Sequence, residues 1–193
     1  LAEIDKLCPQ FHISLQSGSD STLKAMNRHY TADEYYELAV KLRNTFKNCT
    51  LTTDIMVGFP TETEKDFKET VAFAEKVGFE KIHIFPYSVR TGTRAALMKP
   101  QIEKHVKEER AAALAVTAEK IRTEFLRSQI GKTVSIIPET HGKDGFVFGY
   151  TENYTPVMAK VGKDAIGKTV FVKITDSDKD YCYAEYGEAP KTI

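Results

Sequence analysis

The segment Leu51-Thr-Thr-Asp-Ile-Met-Val-Gly-Phe-Pro60 decides the fold class. It begins as a strand pattern over Leu51–Val57 and ends in a Gly-Phe-Pro turn, and Thr63 then caps a helix pattern over Glu64–Val77. A further strand pattern follows at Lys81–Phe85. Strands separated by helices of this length predict right-handed βαβ units, and therefore a parallel sheet or barrel.

The residues before this segment repeat the alternation of strand and helix. A short strand pattern covers His12–Gln16, and a short helix pattern covers Ser21–Asn27. Thr31, with Glu34 three residues later, has the spacing of a capping box and predicts the start of a second helix. The apolar residues of that helix recur at helical period and predict its buried stripe: Tyr35, Leu38, Ala39, Leu42 and Phe46.

The pattern changes near residue 130. Ile102–Ile130 is one long helical pattern without glycine or proline. After Gly131, five short β-branched and aromatic runs are separated by turn residues, which predicts a small closed β-barrel or a sandwich. The runs are Thr133–Ile137, Gly145–Tyr150, Pro156–Val161, Thr169–Ile174 and Tyr181–Tyr186. We therefore place one domain at residues 1–130 and a second at residues 131–193.

Composition limits the classes of partner. The 27 Lys and Arg residues balance 27 Asp and Glu residues, so no net positive field indicates nucleic acid, although a local basic patch is compatible with it. Cys8, Cys49 and Cys182 are too far apart for a zinc or cluster motif and predict free thiols in a reducing compartment. No apolar run approaches the roughly 18 residues of a membrane span. These features predict a cytoplasmic protein with no membrane partner.

Strand alternation predicts a polar site on one face of the sheet. Gln16, Asp54 and His83 fall on the mixed faces of their strands, opposite aliphatic faces that suit covering helices. Gln16 and Asp54 are also near the carboxyl ends of their strands, where parallel α/β folds bind ligands. An amide and a carboxylate suit ribose hydroxyls, and Arg28 can pair with a ligand carboxylate. The alternative is that Gln16 and Asp54 bond to neighbouring loops, and the residues alone leave both readings open.

Three runs carry a family resemblance: His12-Ile-Ser-Leu-Gln-Ser-Gly-Ser-Asp20, Leu23-Lys-Ala-Met-Asn-Arg28 and Thr53-Asp-Ile-Met-Val-Gly-Phe-Pro-Thr-Glu-Thr63. In order and spacing they resemble the fourth and fifth barrel strands of the methylthiotransferase branch of radical S-adenosylmethionine (SAM) enzymes. The run Phe85-Pro-Tyr-Ser-Val-Arg-Thr-Gly-Thr-Arg-Ala-Ala96 resembles the sixth strand and the loop after it. The tail from Gly131, with Gly149-Tyr-Thr-Glu-Asn-Tyr154, resembles the TRAM domain, a small RNA-binding β-barrel.

This resemblance implies both a fold and an activity. The implied fold is α/β: part of a parallel, TIM-like (β/α) radical-SAM barrel, followed by a small all-β TRAM barrel. Three runs look most like the enzyme that methylthiolates carbon 2 of threonylcarbamoyl-adenosine next to the tRNA anticodon: Cys8-Pro-Gln-Phe-His12, Phe85-Pro-Tyr-Ser88 and Thr151-Glu-Asn-Tyr154. The alternatives within the branch are isopentenyl-adenosine in tRNA and an aspartate of a small-subunit ribosomal protein.

The resemblance also implies a cofactor-binding set: Gln16, Ser17, Arg28, Asp54, Gly58 and Phe85. Gln16 and Asp54 would hold the ribose and methionine parts of SAM, and Arg28 its carboxylate. The Ser17 side chain, the Gly58 backbone and the strand around Phe85 would contact the remainder, including adenine. Thr61 stands where the family usually has glycine, so that turn is expected to differ locally.

Relatives of this kind carry two 4Fe-4S clusters. One cleaves SAM to a 5'-deoxyadenosyl radical that takes hydrogen from the substrate, and the second mediates sulfur insertion. The family's Cys-x-x-x-Cys-x-x-Cys motif precedes the first barrel strand and does not occur in this sequence. We therefore expect the chain to be an inactive fragment with no catalytic residue, no metal ligand and no bound cluster. Leu1 in place of an initiating Met agrees with that expectation.

Two groups of residues are candidate RNA contacts, with the tRNA anticodon stem-loop as the expected partner. Arg90 and Arg94 follow the third strand and either contact phosphate at the barrel mouth or belong to an exposed loop. Tyr150, Asn153 and Tyr154 suit stacking and edge contacts with bases, or else form a turn with barrel aromatics. The second domain has eight lysines, nine acidic residues and no arginine, so its charge contributes little to RNA binding.

The same residues raise an alternative function, an RNA-binding adaptor, and the question of how the open sheet edges are covered. A stand-alone RNA-binding adaptor with a decayed α/β domain is the rival, and the retention of polar Gln16, Asp54 and Arg28 argues against it. Three parallel strands cannot close a barrel and leave two open edges. Since open edges favour association, we expect the exposed edge of the α/β part to be covered by another copy of the chain or by rearranged local chain, with His12–Gln16 as the first contact.

Overall fold

The computed structural model describes residues 4, 7–142 and 144–189. The chain divides into two compact units, Phe11–Ile121 and a second formed by Leu1–Gln10 with Arg122–Ile193. No helix in the described ranges is both long enough and apolar enough to span a membrane.

The α/β part follows the predicted alternation of strands and helices. In chain order its elements are β1 (Gln10–His12), α1 (Asp20–Ala25), α2 (Ala32–Thr45), β2 (Thr50–Val57), α3 (Glu64–Val77), β3 (Lys81–Pro86), α4 (Arg94–Leu97) and α5 (Lys104–Arg127). The strands form one sheet in the order β1-β2-β3. β2 and β3 are parallel, and Gln16 joins Ile55 in a further parallel bridge. The parallel sheet is therefore confirmed, while its membership of a larger barrel stays a prediction.

Both predicted helix caps are present. The Thr31 side chain accepts from the N–H of Glu34 and the Glu34 side chain accepts from the N–H of Thr31, which starts α2. Thr63 and Asp66 form the same reciprocal pair at the start of α3. Each box satisfies helix N–H groups that would otherwise have no partner, so it fixes where the helix begins.

β1 is shorter than the predicted strand His12–Gln16. The hydroxyl of Thr53 donates to the carbonyl of Ile13 at 2.7 Å and accepts from the N–H of Leu15 at 2.9 Å. A side chain therefore takes backbone groups that a regular ladder would have paired. Because the Thr53 hydroxyl takes the place of backbone partners, the strand is interrupted after His12, although the chain continues beside β2.

Two tyrosines, the buried Tyr35 and the half-buried Tyr30, reinforce the interrupted segment. Tyr35 donates its hydroxyl to the carbonyl of Ile13 at 2.7 Å, and Tyr30 donates to that of Leu15 at 2.9 Å. Burial raises the pKa of Tyr35 to about 12, so it remains a hydrogen-bond donor at neutral pH. Tyr35 is also part of the buried stripe of α2, whereas Leu38, predicted in that stripe, is 43% exposed. Leu38 lies at the margin of the stripe, where the helix surface already turns toward solvent.

The core of the α/β part is aliphatic and aromatic. Its buried members come from the strands, from the inner faces of the helices and from the segments that join them: Leu15, Tyr35, Ala39, Leu51, Ile55, Val57, Phe67, Phe73, Ala74, Val77, Phe79, Leu114 and Ile121. The predicted aliphatic strand faces therefore do pack against helices. This arrangement leaves the opposite, mixed face of the sheet for polar residues.

The tail forms a closed five-stranded barrel, which is one of the two predicted architectures, the other being a sandwich. Its strands are β4 (Thr133–His141), β5 (Val147–Thr151), β6 (Pro156–Lys160), β7 (Val170–Ser177) and β8 (Cys182–Tyr186), with one 3₁₀ turn at Lys163–Ala165. They close in the order β4-β5-β6-β8-β7. The interior is filled by Leu126, Ile136, Val147, Val157, Ala159, Val172, Ile174, Cys182 and Ala184. The predicted domain boundary at residue 130 stays a prediction.

Candidate functional site

A cluster of polar side chains occupies the mixed face of the sheet. We call it the polar cluster: His12, Ser14, Thr52, Asp54 and His83. Asp54 Oδ2 accepts from Ser14 Oγ at 2.7 Å and lies 3.1 Å from His12 Nε2. His12 Nδ1 lies 3.0 Å from Thr52 Oγ1, and the His12 and His83 ring centroids are 5.9 Å apart. His12 is therefore held at both ring nitrogens, between a hydroxyl and a carboxylate.

Strand geometry explains why these residues meet. Alternate residues of β2 point to the same face, which brings Thr52 together with Asp54. Ser14 lies just beyond the end of β1, with its Oγ 3.3 Å from His12 Nε2. The parallel register of β2 and β3 then sets Asp54 opposite His83. The predicted mixed face is thus a contiguous network rather than a set of separate polar residues.

Asp54 is the chemically distinctive member of the polar cluster. Burial would raise the pKa of its carboxyl, but hydrogen bonds from Ser14 and His12 outweigh this effect and hold the pKa below its usual value. The side chain is 27% exposed. Within the described residues, its bonds all go to Oδ2, which leaves Oδ1 available. An ionised, partly exposed carboxylate with one oriented free oxygen fits the hydroxyl groups of a ribose.

Gln16 has an unusual backbone conformation beside Asp54. Its φ is +69°, in the left-handed region that bulky residues seldom adopt. Its N–H donates to the carbonyl of Asp54 at 2.8 Å, and its carbonyl accepts from the N–H of Met56 at 2.9 Å. The backbone bonds hold this strained position, and residues held in such conformations often cluster at ligand sites. The half-buried Gln16 amide makes no side-chain hydrogen bond within the described part of the chain.

Arg28 is exposed, and its positive charge acts on the hydroxyl of Tyr30. Burial raises the pKa of Tyr30, and the positive charge of Arg28 opposes that shift. Tyr30 itself is bonded to the carbonyls of Ser14 and Leu15. Arg28 is therefore an exposed residue two positions before the tyrosine that bonds the segment between β1 and Gln16.

Three further predicted cofactor residues differ in what they can offer. Ser17 is fully buried, and its hydroxyl pairs with Thr70 Oγ1 at 3.1 Å, so the structure does not favour a direct cofactor contact from this side chain. Gly58 donates its N–H to Glu62 Oε2 at 2.7 Å, which leaves its carbonyl oxygen for a backbone contact. Phe85 is 51% exposed at the end of β3 and keeps a ring face accessible.

A buried ion pair behind Gly58 was not foreseen. Glu62 accepts from Arg110 Nη1 at 2.7 Å, with the side chain of Glu62 fully buried and that of Arg110 8% exposed. Burial raises the pKa of Glu62, against the opposing effects of the Gly58 N–H and the Arg110 charge. Lys107, one turn before Arg110 on α5, donates to the carbonyl of Tyr87 at 3.0 Å. Because 48 residues separate Glu62 from Arg110, no local sequence signal links them.

Tyr87 lies just beyond β3 and does not follow its alternation. Strand alternation would place Tyr87 on the polar side with His83 and Phe85, but it follows the end of the strand and is buried. Its ring packs edge-on against Phe59 at 5.3 Å. The strand geometry that alternates faces no longer applies beyond Pro86, which explains the difference.

The candidate RNA residues fall into two places. Arg90 and Arg94 are both exposed around α4, whose cap is Thr93. In the barrel, Tyr154 is 58% exposed and stacks in parallel on Tyr150, with ring centroids 4.2 Å apart.

Asn153 differs from its two tyrosine neighbours because its side chain is turned inward. It is buried, and its Oδ1 accepts from the hydroxyls of Thr151 and Thr155. These bonds shape the turn that carries Tyr154. The structure therefore favours the alternative turn role for Asn153.

Metal-binding potential can be judged only for the described residues. Among them, no three His, Cys, Asp or Glu side chains are grouped so that they could hold a metal ion. Cys8 is exposed, Cys49 is half-buried and Cys182 is buried in the barrel core. The donor set on the polar face suits an organic ligand with hydroxyl groups better than a metal.

Comparison with known families matches both parts of the chain. Residues 1–74 match the radical SAM superfamily, and residues 127–186 match the TRAM domain. A solved structure of RNase R from Mycoplasma genitalium in its apo form has 18% identity and a TM-score of only 0.30, covering 50% of this chain and 20% of that one, which is too slight to carry an argument.

Curated relatives cover most of the chain. It is 40% identical over 182 residues to the threonylcarbamoyladenosine tRNA methylthiotransferase MtaB of Bacillus subtilis, covering 92% of this chain and 40% of that protein. It is 42% identical over 179 residues to the tRNA-2-methylthio-N(6)-dimethylallyladenosine synthase of Oceanobacillus iheyensis, covering 92% of this chain and 34% of that protein. The chain thus spans only about two fifths or less of the length of these relatives.

Together these matches define a class: a chain with part of a radical SAM domain followed by a TRAM domain. Within that class, the chain is similar to curated tRNA methylthiotransferases, with 40% and 42% identity over 92% of its length.

Proposed function

We propose that this chain is the SAM-binding and RNA-binding part of an enzyme that methylthiolates carbon 2 of threonylcarbamoyl-adenosine, next to the anticodon of tRNA. The observation that carries the proposal is the oriented Asp54 carboxylate, which has one oxygen held by His12 and Ser14 and one available. The relationship to methylthiotransferases supplies the reaction class.

In this proposal the chain's residues bind and orient the cofactor. Asp54 accepts hydrogen bonds from ribose hydroxyls, and the neighbouring Gln16 amide both donates and accepts. Arg28 pairs with the methionine carboxylate, and Phe85 presents its ring to adenine. The Gly58 carbonyl adds a backbone contact, while Ser17 supports the turn from inside. When bound in the intact enzyme, SAM would supply the 5'-deoxyadenosyl radical for the reaction at carbon 2.

The cluster ligands have to come from outside the residues of this sequence. The three cysteines do not have the Cys-x-x-x-Cys-x-x-Cys spacing. We therefore propose that the two 4Fe-4S clusters belong to the intact enzyme, in the cytoplasm, and that the 193 residues alone are inactive. Sulfur insertion is outside what these residues can perform.

Two modified nucleosides are candidates for the substrate, threonylcarbamoyl-adenosine and dimethylallyl-adenosine. Similar proteins of Oceanobacillus iheyensis and Alkaliphilus oremlandii carry the name of the dimethylallyladenosine enzyme, although the threonylcarbamoyladenosine enzyme of Bacillus subtilis has comparable identity. The runs Cys8–His12, Phe85–Ser88 and Thr151–Tyr154 favour the threonylcarbamoyl substrate. The ribosomal-protein target and the RNA-binding adaptor are the remaining alternatives.

Reconstitution of the intact gene product tests the proposal. We would supply iron, sulfide, a reductant and SAM, and offer three substrates: tRNA with threonylcarbamoyl-adenosine, tRNA with isopentenyl-adenosine, and the ribosomal protein. Mass spectrometry should find the methylthio group on the first. Methylthiolation of either other substrate, or a catalytically active preparation of the 193 residues alone, would contradict the proposal.

We also propose that the isolated chain self-associates through its sheet. β1 and β3 are the two ends of the strand order. Unpaired strand edges favour pairing with another chain. Light scattering over a concentration series should show a mass that rises with concentration, and a constant monomer mass would rule the association out.

A further inference from the structure

The imidazole ring of His12 bridges two side chains of β2. Its Nδ1 lies 3.0 Å from Thr52 Oγ1, and its Nε2 lies 3.1 Å from Asp54 Oδ2. Thr52 and Asp54 are two residues apart on one strand, a separation of about 7 Å that a ring with a nitrogen toward each can span. The His83 ring, from β3, meets the His12 ring edge-on at 5.9 Å. The His12 ring is therefore contacted at both nitrogens and along one edge.

The proton of the ring belongs on Nε2, the nitrogen that faces Asp54. Despite burial, hydrogen bonds from Ser14 and His12 hold the pKa of Asp54 below its usual value, so this carboxylate can only accept. The hydroxyl proton of Ser14 already goes to Oδ2 at 2.7 Å, and the proton in the 3.1 Å contact must therefore come from His12. A lone pair on Nε2 at that distance would be repelled by the negative oxygen.

The other nitrogen, Nδ1, is left as an acceptor. A neutral imidazole carries one proton, and with that proton on Nε2 the lone pair of Nδ1 faces the Thr52 hydroxyl. A hydroxyl can donate to it, and Thr52 is only 8% exposed, so water competes little for the contact. The hydrogen bonds therefore run in one direction, from the Thr52 hydroxyl through the His12 ring to the Asp54 carboxylate.

This direction determines how Asp54 is presented to a ligand. Ser14 and His12 both donate to Oδ2, so rotation of the carboxylate out of its plane would break two charge-assisted hydrogen bonds together. The His12 ring cannot turn to follow such a rotation without also breaking its contact with Thr52. Oδ1 therefore keeps a single orientation, set by a side chain that does not itself point to the ligand's oxygen.

We propose that His12 is a positioning residue of the SAM site, fixed by Thr52 as the tautomer with its proton on Nε2, and that it acts on the cofactor only through Asp54. This inference rests on the proposed function, because it takes the ribose hydroxyls of SAM as the partners of Asp54 Oδ1. In this role His12 transfers no proton and contacts neither cofactor nor substrate. Its replacement should therefore weaken the binding of SAM and leave the rate of SAM cleavage at saturation nearly unchanged.

NMR of the 193-residue chain tests the tautomer without any cofactor. Long-range ¹H–¹⁵N correlations at pH 8, where ordinary histidine is neutral, should show a protonated Nε2 and an unprotonated Nδ1 for His12. Thr52→Val should move the Nδ1 resonance toward that of free imidazole, because the hydrogen bond to Nδ1 is lost. Thr117→Val is the matched control, since its hydroxyl faces the carbonyl of Ala113 on α5, and it should change neither resonance. A proton on Nδ1, or an Nδ1 resonance that Thr52→Val does not move, would overturn the inference.

Two amide variants of the intact enzyme then separate the two nitrogens. A glutamine amide reaches about as far from the backbone as Nε2, and an asparagine amide only about as far as Nδ1. His12→Gln thus keeps an N–H for Asp54 and should raise the KM for SAM by less than about threefold, whereas His12→Asn should raise it roughly tenfold. The kcat of SAM cleavage should stay within about twofold in both variants. His105→Asn, in a side chain that is 63% exposed on α5, should leave KM and kcat unchanged.

The split between KM and kcat distinguishes positioning from a general structural role. A loss of folded protein lowers the apparent kcat and leaves KM alone, and thermal unfolding of each variant measures it separately. A wild-type KM in His12→Asn, or His12→Gln as impaired as His12→Asn, would overturn the inference. SAM cleavage does not depend on which nucleoside the enzyme modifies, so both readouts stand if the threonylcarbamoyl substrate is wrong. An intact enzyme that cleaves no SAM would contradict the proposed function and this inference with it.

Discussion

His12 Nε2 lies 3.1 Å from Asp54 Oδ2, and the two residues come from neighbouring strands 42 positions apart in the sequence. Ser14 Oγ donates to the same oxygen at 2.7 Å. Both partners stabilise the ionised form of Asp54 and leave its second oxygen as the acceptor for a ligand. The orientation of this carboxylate is therefore a property of the sheet face, present before any ligand binds.

Removing the Ser14 hydroxyl should raise the pKa of Asp54. The hydrogen bond from Ser14 is a principal reason that this pKa lies below its usual value. We expect Ser14→Ala to bring it back toward an ordinary aspartate, measured by ¹³C NMR of the carboxyl during an acid titration. Ser128→Ala is the control, since the Ser128 hydroxyl is exposed and bonds only within its own helix end. An unchanged Asp54 titration in Ser14→Ala would refute the assigned hydrogen bond.

Replacing Gly58 should destabilise the chain more than replacing Gly78. Both glycines have positive φ, +69° and +67°, so alanine is strained at either position. A Cβ on Gly58 would also collide with Lys107 Cγ, whereas one on Gly78 would meet nothing within 4 Å. We expect Gly78→Ala to cost about 1 kcal/mol of unfolding free energy and Gly58→Ala clearly more. Urea unfolding measures both, and equal losses would show that the contact with Lys107 does not matter.

Breaking the buried Glu62–Arg110 pair should be strongly destabilising. Arg110→Met leaves Glu62 buried without its charge partner, for which we expect a loss of about 3–5 kcal/mol. The double change Glu62→Gln with Arg110→Met should recover much of that loss, because no unpaired charge remains. Lys68→Ala is the comparison for an exposed pair and should change stability by less than about 0.5 kcal/mol. A double variant as unstable as Arg110→Met alone would contradict this account.

Acid should remove the contribution of ionised Asp66 to the free energy of unfolding. Burial would raise its pKa, but bonds from Ser21, Thr63 and Ser19 lower it to about 2. Because the folded-state pKa lies below the ordinary value of 3.8, the stabilisation is complete above about pH 4 and is lost as pH falls toward 2. The shift corresponds to about 2 kcal/mol.

Asp66→Asn tests this directly by denaturant unfolding at several pH values. The variant should be less stable than the wild type at pH 7, and the difference should shrink between about pH 4 and 2. Asp33→Asn is the control, because the Asp33 side chain is 90% exposed in the first turn of α2. A difference between Asp66→Asn and wild type that stays constant down to pH 2 would count against the low pKa.

Elements with local signals could be predicted closely from the sequence. α3 has the predicted bounds Glu64–Val77, because the Thr63–Asp66 capping box and Gly78 at its end are readable within a few residues. The five barrel strands were likewise located by turn residues and β-branched runs. Their ends shifted by up to four residues, as at β4, since pairing across the barrel extends a strand beyond its own pattern.

Features that depend on distant partners could not be predicted. The break after β1 requires Thr53 and two tyrosines to take the carbonyls of the segment, and none of them adjoins it in sequence. The same holds for His12 as a partner of Asp54 and for the edge-on contact of the Phe148 and Tyr181 rings in the barrel. Alternation had put His12 and Asp54 on the mixed face, but only the register of the sheet shows that they touch.

The most direct test of the central claim is mass spectrometry of tRNA nucleosides from cells in which the gene has been deleted. We predict that 2-methylthio-threonylcarbamoyl-adenosine disappears and its unmethylthiolated precursor accumulates, while 2-methylthio-isopentenyl-adenosine is unchanged. The intact wild-type gene should restore the nucleoside, Asp54→Ala should not, and Lys47→Ala, an exposed change after α2, should. Unchanged 2-methylthio-threonylcarbamoyl-adenosine after deletion, or full restoration by Asp54→Ala, would contradict the account.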